Sequence, residues 1–428
     1  MDLGTERRAW MLVYVCLGVI EGGTAGVMVR ALFAQQVPAL LVDLVLAMVT
    51  SAPAWSNIAS LIYARRAQGR PKIAFLQPLL FAMCVCVALL GVLPGGTLGL
   101  LLFFALYSTA RLLWAGVETV RAVLWSVNYP RRLRARITSR ITVLTSVALA
   151  ASGLCLGWLL ERQGYVYRLA LIAAALCGIA GALAIGRLRV RREHDLLAVE
   201  RERLAAGVSF TYAGARELLG SDPEFRRYMY AMSLFGAGNL MLTPLLVISF
   251  DGILHLPTLV QVAITTAVPV LMIPLAIPPW AHYLDRHHVV VFRSIHGWVT
   301  VAAAALLLSG VLAHAPGLLW PGAMLMGISL AGGSLGWTLG HNDFAPRGEE
   351  TRYMALHVTL TGVRGLIAPP LGIASFYLFE RIQPGLGPWA LFVPLALLVA
   401  GAREFNVLRR QRRRAGANGT ARTRQPRA

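Results

Sequence analysis

One long polar stretch, Arg187 to Arg227, interrupts a chain that is otherwise a succession of apolar runs. It holds nine arginines (187, 189, 191, 192, 201, 203, 216, 226 and 227) and seven acids (Glu193, Asp195, Glu200, Glu202, Glu217, Asp222 and Glu224). Each flank divides into six apolar runs of roughly 20 residues, the length a helix needs to cross the hydrocarbon core of a bilayer. Lipid offers no hydrogen-bond partners, so such runs must satisfy their own backbone and should be helical. The composition agrees: 57% of residues are hydrophobic and only 14% charged, against roughly 25% charged in soluble domains. The expected fold class is an all-α membrane protein of twelve transmembrane helices in two pseudo-symmetric six-helix bundles. Spans are expected at 10–34, 38–63, 72–93, 97–122, 137–160, 166–186, 226–248, 259–281, 289–313, 318–341, 353–378 and 388–408. The expected parts are an N-terminal bundle (1–186), a cytoplasmic central loop (187–225), a C-terminal bundle (226–408) and a basic, disordered cytoplasmic tail (409–428).

Charge sets the topology. The net charge of +20 comes from 39 arginines and one lysine, Lys72, gathered at span ends, which argues for membrane topology and against nucleic acid. Loops on one side hold fourteen basic residues: Arg7, Arg8, Arg65, Arg66, Arg70, Lys72, Arg131, Arg132, Arg134, Arg136, Arg286, Arg293, Arg347 and Arg352. The other side holds Arg162, Arg168 and Arg381. The positive-inside rule then places both termini and the central loop in the cytoplasm, with the protein in a bacterial cytoplasmic membrane. The N-terminal run has no small-residue cleavage site and reads as a retained first span.

The halves repeat each other. Pro130 leads to Arg136 and Pro346 to Arg352, each pair just before the fifth span of its half. The loop Tyr63-Ala-Arg-Arg66-Ala-Gln-Gly69-Arg70 has a counterpart in Tyr283-Leu-Asp285-Arg286. Parallel repeats of this kind hold substrate at their interface, near the bilayer midplane. These two loops resemble the Gly-x-x-x-Asp-Arg-x-Gly-Arg-Arg signature of the major facilitator superfamily. Asp222-Pro-Glu-Phe-Arg-Arg-Tyr228 is similar to a pattern common before its seventh span. The resemblance covers essentially the whole chain and implies alternating access by rocking of the two halves. It departs where the first-half loop has Arg in place of the signature Asp.

The spans differ in polarity. Spans 3, 6 and 12 lack charged residues over most of their length and should face lipid, in keeping with the peripheral positions the resemblance implies. Glu21, Arg111 and Arg364 lie deep in spans 1, 4 and 11. An ionisable group at such depth is costly and marks a functional site by default. Glu118 and Arg121 share a helical face with Arg111, and His357 and Thr361 share one with Arg364. The expected substrate or proton pathway is therefore Glu21, Arg111, Glu118, His357 and Arg364, with Glu118–Arg121 also readable as a structural ion pair. Arg30 and Asp43 read as interfacial residues, and Arg293 and His296 as residues near the cytoplasmic end of span 9. A cytoplasmic gate is expected at Arg66, Gly69, Arg70, Asp285 and Arg286, with Asp285 as its only acid. The stripes Gly18-x3-Gly22-x3-Gly26 and Gly332-x3-Gly336-x3-Gly340 should allow close helix packing.

No phosphate-binding loop, HExxH or GxSxG occurs, so neither ATP drive nor intramembrane hydrolysis is indicated. The five cysteines fall in apolar runs, and Cys84-x-Cys86 points its thiols to different helix faces. No metal, cofactor or enzymatic activity is expected. The expectation is a monomeric secondary transporter, partnered by membrane lipids, that moves a small anionic or polar solute coupled to protons or another ion. Two rivals stand beside it: an exporter of hydrophobic or cationic compounds, and a non-transporting partner or sensor of the same fold.

Overall fold

The computed structural model describes residues 3–162, 165–205, 212–346 and 349–422, with backbone only at 3, 131–136, 203–205, 212–216, 350–351 and 415–422. The topology-determining arginines 131, 132, 134 and 136 thus lie outside the described side chains, and Arg347 lies outside the described residues. The described chain is helical, with eleven helices long and apolar enough to cross a membrane. The first crossing is a pair, α1 (Leu3–Gly18) and α2 (Gly22–Phe33). The second is assembled from three short helices, α3 (Ala39–Thr50), α4 (Ala52–Trp55) and α5 (Ile58–Ala67). Then come α6 (Lys72–Leu90), α7 (Gly96–Asn128), α8 (Arg131–Glu161) and α9 (Val166–Gly186). The central segment forms α10 (Glu193–Ala205) and α11 (Tyr212–Ser221). The second half comprises α12 (Pro223–Gly252), α13 (Thr258–Val262), a π-helical turn at Ala263–Ala267, α14 (Val268–Arg286), α15 (Val289–Leu312), α16 (Leu319–Leu339), α17 (Glu350–Ile382) and α18 (Phe392–Arg422).

Local chemistry explains the breaks. The second crossing was expected to be continuous over 38–63, but Pro53 has no N–H to give the Val49 carbonyl. The Tyr107 hydroxyl donates to that carbonyl instead, at 3.0 Å. Ser51 Oγ bonds back to the Ala47 carbonyl (2.9 Å), and Asn57 Nδ2 to that of Pro53 (2.8 Å). The first crossing opens at Glu21, whose ψ of 144° is extended. Around the opening, Gly18 lies against Leu149 and Ser152 of α8, and Gly22 against the Thr50 carbonyl. The second glycine stripe takes side chains of α15 and its neighbours: His296 and Trp280 over Gly332, Arg293 over Gly336, Val289 over Gly340. Such close approach drives helix association where burial from water cannot.

Each half has its own packed core, one built mainly from residues 9–185 and one from residues 218–408. A small third cluster, Ala47, Ile248 and Ile373, joins them. The central segment leaves the sixth crossing at Gly186, passes through Arg192 at φ 49°, and only then enters α10. It is therefore a separate helix and not a continuation of that span. Residues 409–422, expected to be irregular, continue α18; the run Arg409-Arg-Gln-Arg-Arg-Arg-Ala415 consists of good helix formers.

Candidate functional site

In the first half, α7 runs antiparallel to the first crossing and faces it through a ladder of polar pairs. Glu21 sits at the opening between α1 and α2, and its Oε2 is 3.3 Å from Arg111 Nη1. The Arg111 side chain is 5% exposed and that of Glu21 26%, so the carboxylate is the accessible member. Glu118 and Arg121 approach to 3.5 Å, two turns further along α7. Arg121 also donates to the Tyr14 hydroxyl (2.6 Å) and lies 4.8–5.6 Å from the rings of Trp10, Tyr14, Trp114 and Trp125. Cation–π attraction of this kind steadies a guanidinium away from water. At the foot of the ladder Glu6 accepts from Trp125 Nε1 (3.0 Å) and from the Tyr129 hydroxyl. Burial, followed by the hydrogen bond to Glu6, pushes the Tyr129 phenol well above its ordinary range.

The second half carries buried cations without acids. Arg364 donates to the Met232 carbonyl and to Thr361 Oγ1 (2.7 Å). Its guanidinium fits beside α12 because position 236 is glycine; a Cβ there would stand 2.6 Å from Nη1. Thr361 also receives Trp337 Nε1 (3.4 Å). His357, one turn away, is 2% exposed, packs against Trp337, and among the described residues has no hydrogen-bond partner on either ring nitrogen. The 3.6-residue period thus brings His357, Thr361 and Arg364 together. Arg293, 1% exposed, reaches His296 Nδ1 (3.4 Å) and the Gly333 carbonyl (3.2 Å). Sequence position alone set Arg293 at a helix end; Gly336 gives its side chain a path inward, and an arginine three residues from an inward histidine was the available signal. Among the described residues no carboxylate lies within 4 Å of Arg293 or Arg364, and no hydrogen bond or ion pair links Arg364 to the Glu21–Arg111 pair. An isolated buried guanidinium is costly, and among the described residues neither Arg293 nor Arg364 has an acid to offset that cost.

The halves join at the end away from the chain termini. Arg30 Nε pairs with Asp251 at 3.0 Å, and the Tyr377 hydroxyl donates to Asp43 at 2.9 Å. Arg30 Nη1 braces Asp43 from within its own half at 2.6 Å. Leu259 N donates to Glu161 (2.6 Å) nearby. A cavity of about 580 Å³ opens beside this clamp, lined among others by Arg30, Asp43, Tyr377, Glu380 and Trp389. Asp43 is 2% exposed, so neither it nor Arg30 is the simple interfacial residue that the sequence suggested. Partners 221 and 334 positions apart leave no local pattern. An acid and an arginine at one membrane level in neighbouring spans were the only signal.

At the terminus-bearing end, among the described residues, no hydrogen bond or ion pair joins the two bundles directly. Arg66, Arg70, Asp285 and Arg286 are exposed, and Asp285 has no partner there. The Gly69 loop is held instead by α10: Gly69 N donates to Glu200 Oε2 (2.8 Å), and Lys72 Nζ meets the same oxygen at 2.6 Å. On the other half, Asp343 accepts from Val289 N (2.6 Å) at the start of α15. Among the described residues, no hydrogen bond or ion pair therefore links the expected gate residues of one half to those of the other. The described residues contain no cluster of His, Cys, Asp or Glu suited to a metal.

No family model and no curated protein matches the sequence. Solved structures do match the fold. The chain resembles the nucleoside transporter NupG (TM-score 0.72, 12% identity, 95% of this chain and 100% of that one). It also resembles a D-xylose–proton symporter (TM-score 0.66, 13% identity, 95% and 97%) and the peptide transporter POT in complex with sulfate (TM-score 0.65, 14% identity, 95% and 94%). With its two six-crossing bundles and these likenesses, the chain is a multi-pass integral membrane protein with the fold of the major facilitator superfamily.

Proposed function

We propose that the protein is a secondary transporter of a small anionic solute, working by alternating access and coupled to protons. The observation that carries this reading is the asymmetry between the halves. Arg111 already has its carboxylate, whereas Arg364 has only a carbonyl and a hydroxyl, beside the unpartnered ring of His357. The solute's anionic group would complete Arg364, with His357 and Trp337 beside it. Glu21 is the proton site: it is the exposed partner of a buried arginine, and protonation would release Arg111. The exporter of cationic compounds is less well supported, because the aromatic rings suited to a cation already surround Arg121.

A melting screen of the purified protein against carboxylates, phosphates, sugars and cations would identify the ligand, since binding raises the midpoint. With that ligand, Arg364→Ala should abolish the shift and Glu21→Gln should keep it. In proteoliposomes Glu21→Gln should exchange solute by counterflow but lose solute-driven proton movement. A ligand shift that survives Arg364→Ala, or proton movement unchanged in Glu21→Gln, would refute the assignments.

A further inference from the structure

The basic end of the second half holds a cleft that the transport reading does not use. It opens between the first turns of α12 and the extension of α18, has a volume of about 700 Å³, and is lined by Pro223, Glu224, Arg226, Arg227, Tyr230, Leu408, Gln411 and Arg412. Three arginines face one glutamate. Two of them are fixed by acids: Arg412 by Glu224 at 2.5 Å, and Arg227 by Glu404 at 3.3 Å. Arg226 donates to the Leu219 carbonyl (3.1 Å) and, among the described residues, has no acid. A guanidinium has five N–H donors, so most of those of Arg226 are uncommitted.

The cleft is also amphipathic in the direction of the membrane normal. Its guanidinium groups lie where the apolar span gives way to the basic extension. Tyr230, one turn into the span, is 57% exposed, while Leu408, 3% exposed, forms the floor of the cleft. Tyrosine rings favour the headgroup level, and anionic lipids gather at clustered arginines on this face of a membrane protein. A free anion would use the arginines and ignore the apolar wall. A lipid uses both.

We infer that this cleft binds the phosphate headgroup of an anionic phospholipid, with Arg226 and Arg412 on the phosphate and the exposed Tyr230 ring along the first acyl carbons. The test compares melting midpoints, read by tryptophan fluorescence, in phosphatidylcholine nanodiscs with increasing phosphatidylglycerol. The midpoint of the wild-type protein should rise saturably with phosphatidylglycerol. Arg226→Gln with Arg412→Gln should lose most of that rise. Arg410→Gln with Arg413→Gln, the same charge change at exposed positions outside the cleft, should keep it. Equal losses in the two variants would reduce the effect to diffuse charge and overturn the inference. So would no rise in the wild type, or an equal rise from inorganic phosphate in pure phosphatidylcholine. If the cleft variant gives no cooperative melt, native mass spectrometry of the wild-type protein decides: selective retention of phosphatidylglycerol supports the site, and equal retention of both lipids overturns it.

Discussion

Tyr377→Phe should loosen the clamp that joins the halves away from the termini. The substitution removes one hydroxyl and leaves the ring, so packing is kept. Asp43 loses a 2.9 Å hydrogen bond across the seam but keeps Arg30 at 2.6 Å, so no carboxylate is left alone. A hydrogen bond to a charged group contributes about 1.5–3 kcal/mol. Here the bond exists only while that end is closed, so its loss falls on the closed state alone. At about 1.4 kcal/mol per tenfold, the ratio of closed to open molecules should fall by roughly one to two orders of magnitude. The second cross-seam contact, Arg30–Asp251, has a 41% exposed carboxylate, and solvent screening limits it to about 0–1 kcal/mol. Asp251→Asn should therefore shift the ratio several-fold at most. Spin labels at Gln35 and Gln383, both exposed at that end, report the opening by pulsed dipolar distances once the native cysteines are replaced. The longer-distance population should grow in Tyr377→Phe and grow further in the double variant. Identical distance distributions in wild type, Tyr377→Phe and the double variant would refute the clamp.

Gly236→Ala places a methyl group 2.6 Å from Arg364 Nη1 and should abolish ligand-induced melting shifts while the apo midpoint falls by less than the equivalent of about 3 kcal/mol; a retained ligand shift would separate Arg364 from recognition. His288 has a lowered pKa, from burial first and then the charge of Arg412, with Asp343 opposing. Its neutral ring accepts from Val290 N (3.2 Å). The unfolded chain binds the proton more readily than the folded one, so this stabilisation is complete above the ordinary histidine value of about 6.5 and is lost as pH falls through it. The melting midpoint of His288→Asn should accordingly depend less on pH between about 5 and 7 than that of the wild type. An impermeant maleimide on whole cells should label a single cysteine at Gly385 and spare one at Gln68; the reverse pattern would invert the topology.

Period and composition sufficed for the spans, because a bilayer forces helicity on any long apolar run. They also sufficed for contacts within one helix: His357, Thr361 and Arg364 fall one turn apart and do meet. Glu21 and Arg111 stood out by depth, and pairing follows from the cost of leaving either alone. What was hidden depends on helices far apart in sequence. The three-part second crossing hinges on Pro53 together with a tyrosine from α7. The inward turn of Arg293 needs Gly336 on α16. The far-end clamp needs side chains from four crossings in both halves. In the Gly69 loop, the expected bridge to the other bundle gives way to α10, since Glu200 and Glu193 supply acids that the first-half signature lacks.

That last contact has a chemical consequence. Lys72 carries the only side-chain amine in the sequence, and in this state it is 1% exposed, held by Glu200 and by the Ala67 carbonyl at 2.6 Å. An acylating reagent can modify that nitrogen only when it is free of its ion pair and uncovered. The protein thus contains one built-in side-chain reporter: the rate of acylation at Lys72 itself, read by peptide mapping so that the α-amine is kept apart, measures how often α10 lifts from the loop, without any engineered label.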